Sequence, residues 1–427
     1  TLLPALLGVL GQRIDALPIR PLQRRPRHQG VWARLAAAVM AHPFRVLVPT
    51  LLLLLLLGSP FLHVRFSSPD ASILPAAAPS RQGYELLRRG FSQAQLDPIL
   101  VAVRTDGNVL APQNLDRLYD FSRAIARDPR VARVESIVDL DPRITREMYK
   151  LLYNQPDGLG DAYVTQTVAR LARGNTTLMQ VYSTASPIAA ESQDVVRLIR
   201  ALGPAYGLDV LVDGGAAEVL DVVSRLYSEF PRAVAVIVVT TYVVLFLLFR
   251  SVVLPLKAIV MNTLSILASY GALVWVFQEG HLAWLLGFTP LGFVEASLPI
   301  VMFCLLFGVS MDYEVFLLTR VKEAYDTLGD NTRAVAEGLE RSGRIITSAA
   351  LIIVVVSLSF VAAEIVLIKA LGLGVALAVF LDATIVRALL VPATMRLLGE
   401  WNWWAPSLLA RRHPRSVESL SSRESGA

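Results

Sequence analysis

The sequence is poor in the residue types on which many enzymes and metal proteins depend. It has one cysteine, Cys304, and five histidines in 427 residues. No intramolecular disulfide can therefore form, and a cysteine or histidine metal site is not expected. The Walker A, HExxH and GxSxG patterns are absent, which argues against P-loop nucleotide hydrolysis, zincin proteolysis and nucleophile-elbow hydrolysis. We predict that the protein is not an enzyme and holds neither a cofactor nor a metal.

Charge is also scarce, since 18% of the residues are charged and 54% are hydrophobic. This composition lies outside the range of soluble globular proteins. Several windows are apolar and long enough to cross a bilayer as helices. The sequence therefore predicts an α-helical polytopic membrane protein with six transmembrane helices, at 44–62, 230–249, 253–277, 294–319, 344–366 and 370–397.

The net charge of +5 does not indicate nucleic-acid binding, because the arginines collect beside the predicted spans. Residues 12–34 carry six arginines against Asp15 alone, and the tail after the last span carries Arg411, Arg412 and Arg415. Short loops rich in arginine and lysine stay in the cytoplasm. Six crossings put both termini on one side, so both are predicted to be cytoplasmic. A cleavable signal peptide is not expected, since the first apolar run follows a long basic stretch.

Residues 63–229 would then lie outside the cytoplasmic membrane and form a folded domain. β-Branched stretches predict strands at 99–104, 131–138, 178–184 and 208–213. Helical patterns alternate with them at 113–127, 192–202 and 216–229. This order predicts an inserted extracytoplasmic α/β domain with split βαβ units. Its last helix is expected to run directly into the second span.

A spacing pattern near the start of the chain recurs 388 residues later. One explanation is chance similarity between two leucine-rich segments; we favour an internal repeat, of the kind that many transporters contain. Residues 1–11 would then end an earlier six-span unit. The matched positions are Leu2, Pro4, Ala5, Leu10, Gly11 and Pro18 against Leu390, Pro392, Ala393, Leu398, Gly399 and Pro406.

The chain divides accordingly. The predicted parts are the end of a preceding repeat with a basic cytoplasmic linker (1–43), the first transmembrane helix (44–62), the extracytoplasmic domain (63–229), a five-helix bundle (230–397) with a cytoplasmic loop (320–343), and a cytoplasmic tail that is disordered at its end (398–427).

Asp312 is the most informative residue. The uncharged segment 296–311 would cover roughly 24 Å as a helix, short of the roughly 30 Å hydrocarbon core. The span must therefore continue through Asp312, Tyr313 and Glu314. Carboxylates inside a membrane are rare and usually face the protein interior, so they predict a functional site. Glu314 lies about 200° from Asp312 around the helix and is expected to meet Arg320 or another basic group at the interface.

Asp382 is a second deep carboxylate, and Arg387 follows it by five residues. At about 140° around an α-helix a clean intrahelical ion pair is not expected, so each should need a partner on another helix. We interpret this pair, with Asn262 on the third span, as polar groups that lock helix packing. Two membrane aspartates also suggest an intramembrane aspartyl protease, but nothing in the sequence brings Asp312 and Asp382 together. The charged residues expected to reach water from span ends are Lys257, Glu295, Glu364 and Lys369.

Five runs resemble the MMPL family of the resistance-nodulation-division superfamily. They are LFRSVVLPLKAIVMNTLS (ending at Ser265), GFVEASLP (292–299), FGVSMDYEVFLLTRVKEAY (307–325), GDNTRAVAEGLERSGRIITSAALI (329–352) and IKALGLGVALAVFLDATIVRALLVPATMRLLGEWNWW (368–404). Residues 63–229 match by position and architecture only. The resemblance implies a bacterial cell membrane protein of two six-span halves, each with a porter domain, of which this chain is the second.

The resemblance also implies that Asp312 and Tyr313 form a proton relay. Such proteins export lipids, siderophores or hydrophobic drugs, and inward proton movement drives this export. The expected partners are the lipid bilayer, a hydrophobic or lipid substrate, protons, and a missing N-terminal half or a second copy; nucleic acid is not among them. Two alternatives stay open on the same fold, a non-transporting membrane receptor or scaffold and a protein-export accessory subunit.

Overall fold

The computed structural model describes residues 30–91, 96–154 and 162–406. The predicted repeat at residues 1–11 and the end of the predicted tail lie outside these ranges. In the described part, six helices are long and apolar enough to cross a membrane, which confirms the predicted number. In chain order, spans 1 to 6 are Pro43–His63, Gly215–Phe249, Val253–Gln278, Leu298–Leu328, Asn331–Ala362 and Val366–Trp403.

The spans are longer than the sequence predicts at several ends. Span 4 begins at Leu298, because Val294–Glu295 forms a strand instead, and continues to Leu328. Only Gly329, in a left-handed conformation, and Asp330 separate it from span 5, and the Asp330 side chain accepts from the backbone amides of Thr332 and Arg333. The predicted cytoplasmic loop 320–343 is therefore helical on both sides of this short turn.

The predicted linker before span 1 also contains a helix, Val31–Ala41. Its first turn lies against span 5, where the amide of Ala33 donates to Glu340 Oε2 at 3.0 Å and the Trp32 ring covers Gly343. Proline at the first position of a helix restarts it after a break, and Pro43 does so after His42.

Between spans 1 and 2 lies a small sheet packed on helices. Its strands, in chain order, are β2 Ile99–Arg104, β3 Val131–Glu135, β4 Ala172–Arg173, β5 Thr176–Ser183 and β6 Asp209–Asp213. Two short strands lie outside this sheet: β1 Phe66–Ser67, after span 1, and β7 Val294–Glu295, between spans 3 and 4. The helices are Pro79–Gly90, Pro112–Ala126, Arg146–Tyr153, Ala162–Leu171 and Ala190–Ala205. The four predicted strands correspond to β2, β3, β5 and β6, and two of the predicted helices to Pro112–Ala126 and Ala190–Ala205. The sequence does not predict the other strands, nor the helices Pro79–Gly90, Arg146–Tyr153 and Ala162–Leu171.

The main sheet has the order β3-β5-β2-β6, with antiparallel neighbours and β4 beside β5. Strands β2 and β3 are therefore parallel, with β5 between them. Strands β5 and β6 are likewise parallel, with β2 between them. Each parallel pair with a strand inserted between its members is a split βαβ unit. We call residues 96–213 of this region the sheet unit. A second, two-residue parallel pairing of β1 with β7 ties the end of span 1 to the start of span 4.

Span 2 is one helix of 35 residues that begins directly after β6. Gly214, at φ 100°, makes the turn, and a Cβ there would lie 2.8 Å from the Pro98 carbonyl oxygen. Glycine suits both the positive φ and the close approach. The sheet unit and span 2 are therefore joined without a flexible linker, as the sequence predicts.

Spans 1 and 3 approach closely where two glycines meet the facing helix. A Cβ on Gly271 would overlap the Leu57 carbonyl oxygen, and one on Gly58 would lie 3.3 Å from Leu267. Small residues permit such close packing of membrane helices.

We expect Gly271→Ala to destabilise the protein by about 1–3 kcal/mol, because the added methyl group must push span 1 away. Thermal unfolding in detergent checks this. Gly308→Ala is the matched control, since nothing lies within 4 Å of a Cβ there. Equal unfolding temperatures for the two variants would contradict this account of the packing.

Candidate functional site

The candidate site is built on the middle of span 4, where Asp312 and Tyr313 lie far from both helix ends. The Asp312 side chain is exposed on the surface of the chain. Among the described residues it forms no hydrogen bond or ion pair. The carboxylate thus occupies the bundle's outer face rather than the interior of this chain, where the sequence argument placed it.

Tyr313 is half-buried and turns towards span 6. The guanidinium carbon of Arg387 lies 5.0 Å from the centre of its ring, a distance at which a cation is attracted to the ring face. Tyr313 also lines a small cavity, of about 10 Å³, together with Asn262, Ser310 and Asp382. The structure therefore brings Tyr313 into contact with the second group of polar residues, while Asp312 faces away from it.

Asp382 and Arg387 form a buried ion pair, with exposed fractions of 6% and 3%. Asp382 Oδ2 accepts from Arg387 Nη2 at 2.7 Å and from Arg387 Nε at 3.1 Å. The prediction that these residues do not pair within one helix is wrong. The segment Asp382–Leu390 is a π-helix, whose i→i+5 hydrogen bonds put residues five apart on the same side.

The pair is also attached to span 4, through a residue that the sequence analysis did not single out. Ser310 Oγ donates to Asp382 Oδ2 at 2.9 Å, and Arg387 Nη2 donates to the Ser310 carbonyl oxygen at 2.6 Å. Arg387 Nη1 has no hydrogen-bond partner among the described residues. A serine at this position gives only a weak signal in the sequence, since serine is common in membrane helices.

Asn262 lies on span 3 and is 3% exposed. Its Nδ2 donates to the Phe307 carbonyl oxygen of span 4 at 3.5 Å, at the limit of a hydrogen bond, and its Oδ1 has no partner in the described part. Ser265, one turn on, donates to the Ala378 carbonyl oxygen of span 6 at 3.2 Å. Polar groups of span 3 thus join spans 4 and 6 around the cavity beside Tyr313.

The structure corrects the expectation that lysines near span ends reach water. Lys257 is 8% exposed and Lys369 is 7% exposed. Lys257 lies 3.9 Å from Glu314 of span 4, so Glu314 meets Lys257 rather than Arg320. Lys369 donates to the Leu286 carbonyl oxygen at 2.6 Å. Position along a span does not reveal which face a residue occupies, and both lysines face inward.

Two cavities adjoin the upper part of span 2 and share Val222. One is an open apolar groove of about 440 Å³, between Leu226, Phe230 and Ile300, with Arg225 and Glu229 also in its lining. The other, of about 350 Å³, lies beside the sheet unit. We call it the polar cavity, because Asp70, Tyr84, Asp97 and Glu218 form part of its lining, beside apolar residues.

The polar cavity carries perturbed side chains. The Tyr84 hydroxyl donates to Asp70 Oδ2 at 2.8 Å. Burial, together with this hydrogen bond and the charge of Asp70, raises the pKa of Tyr84 to about 12. Burial raises the pKa of Asp97 above its ordinary value, and the nearby Asp70 carboxylate adds to the effect. Such shifts are common in binding sites.

We expect Arg387→Met to destabilise the protein by roughly 3–5 kcal/mol, because it leaves the buried Asp382 carboxylate without a counter-charge. The double variant Asp382→Asn with Arg387→Met should lose less, since both charges are removed together. Thermal unfolding in detergent compares the two. The exposed arginine Arg396, which donates to Thr332, gives the control Arg396→Met. A double variant as unstable as the single one would contradict the pairing.

The sequence was also compared with known proteins. The model of the MMPL family matches residues 72–422. A putative membrane protein of Streptomyces coelicolor, SCO6666, is 35% identical over 97% of this chain and 52% of its own length. The trehalose monomycolate exporter MmpL3 of Mycobacterium tuberculosis is 30% identical over 97% of this chain and 44% of its own. Membrane protein YdfJ of Bacillus subtilis is 29% identical, with coverages of 97% and 52%.

The chain therefore spans about half the length of the curated relatives it matches. The six apolar helices make it a multi-pass membrane protein. The family model matches most of the sequence, and the relatives align with nearly all of it. These matches establish the family that the five sequence runs indicated. The chain belongs to the MMPL family.

Proposed function

We propose that this chain is half of a membrane exporter of lipids or other hydrophobic and amphiphilic molecules, including drugs, that is driven by the proton-motive force. In this proposal both termini are cytoplasmic, and the sheet unit is an extracytoplasmic porter domain in a bacterial cell membrane. Asp312 and Tyr313 form the proton relay. The observation that carries the proposal is the exposed carboxylate of Asp312, in the middle of a membrane span and without a partner among the described residues.

A carboxylate at that depth is costly when it faces lipid, so intramembrane acids face protein or a water-filled cavity. In this chain Asp312 faces neither, because its side chain lies on the outer surface. A second six-span unit on this face would cover it. The relatives, about twice as long as this chain, contain enough sequence for such a unit. The unit is either an N-terminal half or a second copy.

Asp312 is the residue that exchanges protons in this mechanism. A proton that arrives from outside neutralises its charge and removes the electrostatic cost of packing the two units closely. The adjacent Tyr313 has a phenol that can donate and accept, and it opens onto the cavity that contains Asp382. Deprotonation towards the cytoplasm restores the charge and completes the cycle. The Asp382–Arg387 pair holds Tyr313 in place from span 6, with the guanidinium carbon 5.0 Å from the centre of the ring.

The two cavities beside span 2 support an amphiphilic substrate. The apolar groove suits an acyl chain, since its lining is largely hydrocarbon. The polar cavity, with its carboxylates and the Tyr84 hydroxyl, suits a polar head group. Both are lined by Val222, and in this proposal one molecule occupies the two together. The name of the relative MmpL3, a trehalose monomycolate exporter, fits a lipid with a sugar head group.

The continuous helix of span 2 couples the two regions. Its first residues pack against the sheet unit, where Ala216 and Ala217 are buried. Lower down, the Phe230 ring meets the Phe303 ring of span 4 edge-on at 5.6 Å between centroids. A shift of span 4 on protonation of Asp312 would therefore move span 2 and, through it, the walls of both cavities.

We expect Asp312→Asn to abolish proton-driven export, because an amide cannot exchange a proton, whereas Asp312→Glu retains part of it. Efflux of a fluorescent lipophilic dye from energised native cells, with and without a protonophore, measures this. Asp326→Asn is the control on the same helix, since Asp326 is a surface residue paired with Lys322 at 2.6 Å. Full protonophore-sensitive efflux by Asp312→Asn would show the proposal to be wrong.

The proposed orientation is tested by cysteine labelling in a Cys304→Ser background. We expect a membrane-impermeant maleimide to label Glu191→Cys, in the sheet unit, on intact spheroplasts. Asp326→Cys, at the opposite end of span 4, should be labelled only after permeabilisation. Both sites are exposed in the structure. The reverse labelling pattern would overturn the assignment of the sides.

A further inference from the structure

Spans 3 and 4 share a second buried pair of charges, Lys257 and Glu314. Each side chain is 6% exposed, and Lys257 Nζ lies 3.9 Å from Glu314 Oε1. Neither of these two atoms has a hydrogen-bond partner among the described residues. The two charges are thus close enough to attract each other strongly in a medium of low polarity, but they are too far apart for a hydrogen bond.

This geometry is poor for stability. Removing two charges from water is costly, and the attraction compensates only when the contact is close and the remaining polar atoms are bonded. The Asp382–Arg387 pair has hydrogen-bonded contacts of 2.7 and 3.1 Å and a further hydrogen bond from Ser310. The Lys257–Glu314 pair has no such contact. Apolar side chains of similar size would pack here at no greater cost. Packing therefore does not explain why Lys257 and Glu314 are charged residues.

The position of Glu314 supplies that explanation. It is two residues from Asp312 and about 200° away around the helix, so one turn of span 4 carries two carboxyls on nearly opposite faces. Asp312 is exposed and Glu314 is buried against span 3. A turn with two carboxyls in a medium of low polarity has two places that can take up a proton.

The other charges around this turn are occupied elsewhere. From span 6, Asp382 and Arg387 bond each other and Ser310. On the cytoplasmic part of span 4, Arg320 pairs with Glu323 and Lys322 with Asp326. From span 5, Glu340 accepts from Ala33, Arg341 pairs with Glu337 and Arg344 is exposed. Within the described ranges, Lys257 is the one basic group within 4.0 Å of the Glu314 carboxylate.

We propose that Lys257 is a positioning residue that keeps Glu314 ionised, so that Asp312 is the one carboxyl of this turn that exchanges a proton. This inference rests on the proposed function and deepens it. Without the lysine, the buried Glu314 carboxylate has no counter-charge and takes up a proton itself. The rate of export would then depend on two ionisations, that of Asp312 and that of Glu314. A proton bound at Glu314 would not change the charge on the face of span 4 that Asp312 occupies.

The test is the pH profile of protonophore-sensitive dye efflux in native cells. Lys257→Met keeps the length of the side chain and removes the charge, whereas Lys257→Arg keeps the charge and alters the shape. We expect Lys257→Met to add a second ionisation to the profile and to lower export at the parent's optimum about ten-fold, the change in protonation ratio that one pKa unit produces. Lys257→Arg should keep the parent's profile.

The double variant Lys257→Met with Glu314→Gln removes both charges, and we expect it to return to the parent's single ionisation. Lys322→Met is the control, because Lys322 is a more exposed lysine of span 4 with its own partner. All rates are divided by the amount of folded protein in the membrane, so loss of folding does not imitate loss of export.

Two results would overturn the inference. One is a Lys257→Met profile that superimposes on that of the parent; the other is a double variant that keeps the added ionisation. Failure of the proposed function is recognised separately, since Asp312→Asn would then still export. An inactive Asp312→Asn with an unchanged Lys257→Met contradicts only the role of Lys257.

Discussion

A charge in the hydrocarbon region must be paired, neutralised or covered by protein, and the arrangement of spans 3, 4 and 6 follows from this constraint. Three carboxyls lie in or beside the same stretch of span 4. Asp382 is bonded to Arg387 and Ser310, and Glu314 faces Lys257. Asp312 alone is exposed and without a partner in the described chain. The chain thus compensates two acids internally and presents the third on its surface.

In the proposed mechanism, the three acids of this region have different roles. The Asp382–Arg387 pair holds span 6 against span 4 through Ser310, and Glu314 faces Lys257 of span 3. The uncompensated acid can change its charge without loss of these contacts. Span 2, which touches span 4 below and the sheet unit above, is the element that can carry a small movement of span 4 to the cavities where an amphiphile would bind.

The sequence predicts the large elements well, because each produces a strong periodic or compositional signal. The six spans are read from apolar length, and β2 and the 35-residue helix of span 2 from β-branched residues and the absence of a break after Gly215. The span ends are less predictable: charges in 320–343 suggest a loop, although two helices continue through this region and turn at Gly329. Local propensity does not distinguish a solvated loop from a solvated helix extension.

The candidate site is predicted only in part. Asp312 and Tyr313 are identified by their depth and by family resemblance, but a single sequence does not show that Asp312 faces outwards. The Asp382–Arg387 pair depends on a π-helix, which has no reliable sequence signal, and an ideal α-helix separates the two residues. Lys257 lies near a span end, and only the packing of span 3 on span 4 reveals that it faces Glu314.

The central claim is that Asp312, of the three acids, is the one that binds and releases a proton. Infrared difference spectra of the protein in native membranes, recorded while the pH is lowered, detect the carbonyl stretch of each carboxyl that becomes protonated. The account predicts one such intramembrane band, lost in Asp312→Asn and retained in both Asp382→Asn and Glu314→Gln. A band that persists in Asp312→Asn and disappears in either of the other two variants would contradict it.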